Sequence, residues 1–257
     1  MNTFLFDKTI FGPIKSRRLG TSLGVNLLPV NNKFCNYNCI YCECGWTKNK
    51  QKIKDQLPSK KKVINDLQLF FKSSNNSEPI NSITFAGNGE PTLHPEFNDI
   101  IKEVIELRNK YVPKALVSVL TNATMLHKKS VVEALGLVDR CMYKIDAGTQ
   151  NSFLTINNPI GKISFKKTID QISKIKSEII IQSLFLKGKY NGEFIDNTKE
   201  DEIINWIEII KKIKPKSIII YTLDRNTPLK SLEKIPFVEM QKIKTKLKNH
   251  NIEAEIY

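Results

Sequence analysis

The sequence predicts an α/β fold in which parallel strands alternate with helices. Six short segments rich in isoleucine, valine and leucine have the length and composition of buried strands. Segments with helical spacing separate them, and this alternation is typical of a parallel sheet. The predicted strands are 22–28, 82–86, 115–120, 140–146, 179–185 and 217–221.

The helices are predicted from apolar residues that recur at intervals of three and four. A turn at Leu57-Pro58-Ser59 precedes the first of them. The predicted helices are 61–72, 95–109, 128–135, 164–175, 200–212 and 237–248, and a short strand at 252–256 follows the last.

We expect one domain over residues 1–257, because no linker, low-complexity segment or internal repeat divides the sequence. Residues 1–20 lead into the first predicted strand, and residues 31–47 form a loop after it. A chain of 257 residues has a common size for a single α/β barrel.

The composition indicates a globular protein of a reducing compartment. The hydrophobic fraction of 40% is ordinary for such a protein. No apolar run approaches the roughly 18 residues of a membrane span, and the N-terminus has no signal-peptide pattern. The five cysteines crowd mainly into one loop, which does not fit a disulfide framework. We therefore expect a cytoplasmic protein with no membrane association.

The net charge of +14 admits RNA or another polyanion as a substrate. The lysines are scattered through helical stretches rich in isoleucine and asparagine. Such scattering also arises from compositional bias on a solvated surface. Charge alone therefore leaves both interpretations open.

Three cysteines stand in a CxxxCxxC run at Cys35, Cys39 and Cys42. Three thiolates on so short a segment can hold three corners of a cubane iron–sulfur cluster, which leaves the fourth iron open for chemistry. The main alternative is a zinc site with Cys44 as fourth ligand, but zinc sites usually pair two such turns across a longer loop. We expect Cys44 to be a free thiol beside the cluster and Cys141 to be a buried apolar residue.

Tyr41 places an aromatic residue just before the last cysteine. With it, the run resembles the CxxxCxΦC signature of the radical S-adenosylmethionine (SAM) superfamily. The resemblance implies a partial (β/α)6 barrel of the TIM type and a 4Fe-4S cluster on Cys35, Cys39 and Cys42, with Tyr41 near the adenine of SAM. It also implies that SAM binds the open iron and is cleaved by one electron to a 5′-deoxyadenosyl radical. A low-potential donor such as flavodoxin or ferredoxin is then expected.

The turn Gly87-Asn88-Gly89-Glu90-Pro91 follows the second predicted strand. In parallel barrels the active site lies at the carboxyl ends of the strands. The turn resembles the family's Gly-Gly-Glu-Pro turn, which implies that Gly87, Gly89 and Glu90 seat the methionine part of SAM. Glycine permits close backbone approach, and a carboxylate suits an ammonium group. Asn88 replaces the first glycine of the pair, and asparagine tolerates a positive φ better than most residues.

Polar residues end three further strands. Thr121 and Asn122 are candidates for binding ribose hydroxyls or the carboxylate of SAM. Lys144 and Asp146 lie two apart on one strand and therefore share a face. Asp146 could accept from a ribose hydroxyl, and Lys144 could position an acid, act as a base or form a Schiff base; the alternative is a structural ion pair. Gln182 is the inward candidate on the fifth strand.

The segment 11–25, which contains Ser-Arg-Arg-Leu-Gly at 16–20, narrows the resemblance together with Gly89-Glu90-Pro91-Thr92-Leu93 and Lys144-Ile145-Asp146-Ala147-Gly148. These segments resemble a radical SAM branch related to the wyosine tRNA-base synthetases. Those synthetases are expected to carry a second cysteine set and a lysine for pyruvate. Outside the cysteine loop this sequence has only Cys141, so a second cluster of that type cannot be built from it.

Three arginines could bind an anionic substrate or have a structural role. Arg17 and Arg18 could clamp a phosphate or carboxylate, or pair with acidic residues beneath the barrel. Arg225 could hold an anionic substrate group or lie in a solvated loop.

These observations predict a single-cluster radical SAM enzyme whose first candidate substrate is a tRNA or other RNA base. A protein substrate is the alternative within the enzyme class, as in the activases of glycyl-radical enzymes. From a different class, the chain could be a zinc- or cluster-containing nucleic-acid-binding module without turnover. Cys44 separates the two classes, because a zinc module should need it as a ligand.

Overall fold

The computed structural model describes residues 4–48, 56–73, 79–225 and 227–257. Its strands are β1 (Ile10–Ser16), β2 (Gly20–Val25), β3 (Ser82–Phe85), β4 (Leu116–Thr121), β5 (Arg140–Lys144), β6 (Ile180–Tyr190), β7 (Glu193–Asp196), β8 (Ser217–Thr222), β9 (Leu232–Lys234) and β10 (Ala254–Ile256). Its longer helices are α1 (Lys60–Ser73), α2 (Phe97–Tyr111), α3 (Lys129–Leu137), α4 (Phe165–Ile172), α5 (Glu200–Ile213) and α6 (Phe237–Lys248).

The strands of the described residues form one ten-stranded sheet in the order β1-β2-β3-β4-β5-β6-β8-β10. From β2 to β10 every neighbouring pair on this path is parallel. β1 is antiparallel to β2, and β7 and β9 are antiparallel to the far half of β6. A mostly parallel sheet connected by helices confirms the α/β fold that the sequence predicts.

The six predicted strands correspond to β2, β3, β4, β5, β6 and β8, and the predicted closing strand is β10. The first was placed too far along the chain, because the strand ends at Val25 rather than residue 28. There Asn26 turns the chain, since its side chain bonds both the N–H and the carbonyl of Leu28 at 3.2 and 3.0 Å. The antiparallel strands β1, β7 and β9 are not predicted.

The two faces of the sheet differ in polarity because side chains alternate along a strand. One face packs its aliphatic and aromatic residues, such as Ile83 and Phe85 of β3, into the main core together with the helices. On the opposite face Ser22, Thr84 and Ser82 join by hydrogen bonds of 2.7 and 3.0 Å. Cys141 is buried in the main core, as expected.

None of the described helices is both long enough and apolar enough to cross a membrane.

Candidate active site

The cysteine loop lies across the carboxyl ends of the strands because backbone bonds fix it on two sides. Towards β3, Phe34 N–H donates to the Asn88 carbonyl at 2.8 Å, and Glu90 N–H donates to the Phe34 carbonyl at 3.1 Å. On the other side, Asn38 and Ile40 donate to the carbonyls of residues 158 and 156 at 2.9 Å each. The fold therefore positions the motif where parallel α/β sheets hold their active sites.

The sulfur atoms of Cys35 and Cys39 accept hydrogen bonds from N–H groups of the protein. The Cys35 sulfur accepts from Tyr37 N–H at 3.3 Å and from the Asn122 amide at 3.7 Å. The Cys39 sulfur accepts from the Asn157 amide at 3.6 Å. Burial raises the pKa of Cys35 to about 12 and also raises the pKa of Cys39. Donors aimed at sulfur favour the thiolate and partly offset this burial.

A buried lysine lies among the three motif cysteines. The Lys33 ammonium donates to the Gly45 carbonyl at 2.8 Å. Burial lowers the pKa of Lys33, but the negative charges of Cys42, Cys35 and Cys39 together have a larger, opposite effect. The pKa of Lys33 therefore lies above its usual value. The pKa of Cys42 falls to about 5, chiefly through a hydrogen bond from Cys44 and also through Lys33. Sequence reasoning missed Lys33, whose one signal is its position two residues before Cys35.

The donor set fits an iron–sulfur cluster. Among the described residues, no three cysteine, histidine or acidic side chains converge on the position of one metal ion. A four-iron cluster does not require such convergence, because each thiolate binds a different iron. The two amide donors and the buried Lys33 ammonium suit an anionic cluster, because N–H groups and a positive charge stabilise thiolate ligands.

The turn after β3 approaches this loop closely because of its two glycines. Gly87 and Gly89 have φ values of 154° and 140°. A Cβ on Gly89 would lie 2.0 Å from the Phe34 carbonyl oxygen, and one on Gly87 would lie 2.4 Å from Asn26 Oδ1. The positive φ therefore falls on the glycines and not on Asn88, which corrects the explanation offered for that asparagine.

Asn88 instead attaches the N-terminal segment to the turn. Its side-chain oxygen accepts from Phe6 N–H at 2.8 Å. Its amide group donates to the carbonyls of Phe6 and Pro29 at 2.9 and 2.8 Å. An asparagine at this place has a structural reason of its own.

Glu90 is buried and joins the ends of two strands. Its carboxylate accepts from Thr121 Oγ1 and Asn122 N–H at 2.7 Å each, and from Thr92 N–H at 3.1 Å. Burial raises the pKa of Glu90, and these donors oppose that rise. From the described residues Oε2 accepts one hydrogen bond, that of Asn122, and it has the capacity to accept another. The amide of Asn122 is already used, since it donates to Cys35 and to Asn36 Oδ1.

Asp146 is buried with four protein donors on its carboxylate. Oδ2 accepts from the Tyr41 hydroxyl at 2.5 Å and from the Asn157 amide at 2.9 Å. Oδ1 accepts from Leu184 N–H at 2.8 Å and pairs with the Lys144 ammonium at 3.0 Å. These four contacts fill the acceptor sites of a carboxylate, so a ribose hydroxyl would have to displace one of them.

Lys144 lies between two tyrosine rings. Its ammonium also bonds the Tyr221 hydroxyl, and it lies 5.0 Å from the centroid of Tyr41 and 4.4 Å from that of Tyr221. Burial lowers the pKa of Lys144, but Asp146 and Tyr221 together have a larger, opposite effect. The pKa of Lys144 therefore lies above its usual value. Lys144 is therefore an ammonium at neutral pH, which suits binding of an acid better than action as a base.

The remaining candidates are placed as follows. Gln182 is buried on the face of Lys144, with its amide 3.1 Å from the Met142 sulfur. Arg17 pairs with Asp224 at 3.0 Å on the surface, and Arg225 pairs with Glu43 of the cysteine loop at 3.1 Å. Neither exposed pair supports a role in substrate binding, and pairs of this kind contribute little to stability.

Comparison with known proteins assigns the family. Residues 32–196 match the model of the Radical SAM superfamily. Over 257 residues the chain is 32% identical to a protein of Brachyspira hyodysenteriae named GTPase Obg, and the match covers 98% of this chain and 35% of that protein. The present sequence contains no GxxxxGKS or GxxxxGKT phosphate-binding segment.

A second relative is a UPF0026 protein of Methanocaldococcus jannaschii, 30% identical over 225 residues. This match covers 86% of the chain and 63% of the relative, so the chain spans less than two thirds of both relatives. A solved structure of TYW1 with a lysine-pyruvate adduct bound has the same fold, with a TM-score of 0.59 at 16% identity over 90% of this chain and 75% of that one. The matched region contains the cysteine loop, the glycine turn and strands β3 to β6, and the chain belongs to the radical SAM superfamily.

Proposed function

We propose that this chain is a single-cluster radical SAM enzyme. The observation that carries the proposal is the cysteine loop itself, with Cys35, Cys39 and Cys42 at the family spacing across the strand ends and Lys33 buried among them. These three cysteines would hold a 4Fe-4S cluster. When bound, the cluster and SAM supply the electron and the 5′-deoxyadenosyl radical that removes a hydrogen atom from the substrate.

The other residues of the site would bind and orient the cofactor. Gly87, Gly89 and Glu90 would seat the methionine part, because the glycines let the turn pack closely against the cysteine loop and Glu90 Oε2, which accepts one hydrogen bond from the described residues, can accept another. Tyr41 is held in one orientation by Asp146, which suits a ring that packs near adenine. These assignments rest on geometry together with the family signature.

Thr121, Asn122 and Gln182 would support the site rather than contact the cofactor. Thr121 and Asn122 fix Glu90, and Asn122 also reaches the Cys35 sulfur. Gln182 lies beside Lys144 on the neighbouring strand β6. A low-potential donor such as flavodoxin or ferredoxin would supply the electron, in keeping with a cytoplasmic location.

An RNA base, as in tRNA, is the proposed substrate class. The net charge of +14 and the resemblance to the wyosine-related branch support it. To test it, the cluster is reconstituted anaerobically, and the protein is reduced with dithionite in the presence of SAM and of RNA or protein from cells grown in deuterated medium. Deuterium in the 5′-deoxyadenosine from the RNA sample, absent with Cys35→Ala, is the expected result.

Two other outcomes of this experiment would contradict parts of the proposal. Deuterium transfer only from the protein fraction would assign a protein substrate, as in an activase, and would contradict the RNA proposal. Stoichiometric zinc instead of iron in anaerobically purified protein, with no cleavage of SAM, would contradict the enzyme proposal and favour a binding module.

A further inference from the structure

Two adjacent arginines in the turn between β1 and β2 have different surroundings. Arg17 is exposed and pairs with Asp224. Arg18 is half-buried, and its guanidinium lies over the ring of Tyr221, 4.9 Å from the centroid. Its Nη1 atom is buried without a hydrogen-bond partner in the described part of the chain. Leaving a buried guanidinium donor without an acceptor is costly, so Nη1 can bind an acceptor that the described residues do not supply.

Tyr221 connects Arg18 to the residues beside the cysteine loop. The Arg18 guanidinium packs over the Tyr221 ring, and the Lys144 ammonium donates a hydrogen bond to the Tyr221 hydroxyl. Lys144 in turn lies over Tyr41, which precedes Cys42. Arg18, Tyr221 and Tyr41 are all partly exposed, and the Lys144 side chain is 17% exposed. A molecule from solvent can therefore reach this row of side chains.

The charges along this row do not balance. Asp146 is the carboxylate that faces Lys144, and its four acceptor sites are taken by Lys144, Tyr41, Asn157 and Leu184. No carboxylate among the described residues pairs with Arg18. Among the described residues, Lys144 therefore has a neutralising carboxylate, whereas Arg18 has none.

We propose that Arg18 binds an oxyanion of the substrate, a carboxylate or a phosphate, and so orients the substrate along Tyr221 and Lys144 towards the cysteine loop. A guanidinium matches both anions because it donates two parallel N–H bonds. The assignment rests on the proposed function, since it concerns the substrate of the same site. Arg18 stands against β8, whereas the turn proposed for the methionine part of SAM follows β3, so the proposal assigns the anion to the substrate rather than to the carboxylate of SAM.

Arginine-labelled protein tests this assignment directly, because the chain has only five arginines. Cluster-loaded protein with SAM bound is prepared with guanidinium-labelled arginine, and its NMR spectrum is recorded during titration with inorganic phosphate and, separately, with malonate. We expect the Arg18 signal to shift and saturate while the Arg17 signal does not. Whichever anion binds more tightly identifies the chemical class.

Two variants give the matched comparison. By calorimetry, Arg18→Lys should weaken anion binding by roughly tenfold or more, because a lysine keeps the charge but loses the paired donors. Arg17→Gln should bind the anion like the wild type. Equal shifts of both arginines would show general screening, and no shift of Arg18 would show no site; either result would overturn the proposal.

The cofactor explanation is tested in the same titration. Anion binding that occurs without SAM but disappears when SAM is present would assign Arg18 to the cofactor and overturn the proposal. The proposed function fails separately: if the reduced, cluster-loaded protein binds SAM but does not cleave it, the anion titration still reports on Arg18. The two failures are therefore distinguishable.

Discussion

The Tyr41 hydroxyl donates a 2.5 Å hydrogen bond to Asp146 Oδ2, and this bond joins the cysteine loop to the residues just after β5. Tyr41 directly precedes Cys42, so this bond attaches the segment of the third motif cysteine to a carboxylate 105 positions later in the chain. The family signature requires an aromatic residue at this place, but the hydroxyl contributes a second, structural function.

Tyr41→Phe tests that function. The substitution keeps the ring and removes one of the four donors on Asp146, so the buried carboxylate loses a hydrogen bond. We expect the free energy of unfolding to fall by about 1–3 kcal/mol, measured by urea denaturation. Tyr257→Phe is the matched control, because the Tyr257 hydroxyl also bonds a carboxylate, Glu255, but in an exposed pair. Equal effects of the two variants would contradict the structural role of Tyr41.

Asp146→Asn should change the ionisation of Lys144. Without the carboxylate, burial is no longer offset and the pKa of Lys144 should fall below its usual value of 10.5. NMR of 13C-methylated lysines measures this pKa. The free energy of unfolding should also fall by about 3–5 kcal/mol, because a buried charge is left unpaired. Asp66→Asn is the control, since it removes the partner of the more exposed Lys62. A Lys144 pKa that stays above 10.5 would show that Tyr221 alone holds the proton.

The cysteines divide into three expected ligands and one neighbour. Cys42→Ser should lower the iron content of reconstituted protein by about one quarter or more, since it removes the protein ligand of one of the four irons. Cys44→Ser should retain iron, because Cys44 lies beside the Gly87 carbonyl and the Cys42 sulfur and can donate its one S–H to either of them. Loss of metal from Cys44→Ser with retention in Cys42→Ser would reverse the ligand assignment.

The sequence predicted the parallel strands because burial on both faces leaves long runs of isoleucine and valine, as in Ile218 to Ile220 of β8. It did not predict β7, since the exposed Glu193 and Phe194 of that strand carry no such pattern. The cysteine loop was predicted because the ligand spacing lies within one segment. Asn157, 118 positions from its contact Cys39, could not be found that way, because its role exists only once the fold is formed.

Gly89→Ala should damage the contact between the glycine turn and the cysteine loop. A Cβ at this position would meet the Phe34 carbonyl at 2.0 Å on a backbone with φ of 140°, so the loop must shift. We expect the free energy of unfolding to fall by several kcal/mol and the iron content after reconstitution to be lower. Gly136→Ala in α3 is the control, because its Cβ meets nothing within 4 Å and it should stabilise by about 0.5–1 kcal/mol. An unchanged iron content in Gly89→Ala would show that the loop does not depend on this turn.

His94 should make the stability of the protein depend on pH. The Pro58 carbonyl can only accept, at 2.8 Å, and Glu96 N–H can only donate, at 3.2 Å, so Nε2 carries the proton and Nδ1 does not. Burial lowers the pKa of His94 below its usual 6.5, and the bond to Pro58 opposes this only in part. Below about pH 6.5 the unfolded chain therefore binds a proton that the folded protein does not, and stability falls as the pH falls.

Thermal unfolding of the wild type and of His94→Gln between pH 8 and pH 5.5 measures this dependence. At pH 8 the variant should be less stable, because it loses the paired contacts with Pro58 and Glu96. The difference should shrink as the pH falls through 6.5, since the wild type then loses stability that the variant does not lose. His250→Gln, at an exposed position, controls for the loss of a histidine as such. A difference between wild type and His94→Gln that stays constant or grows in acid would mean that His94 is protonated in the folded protein.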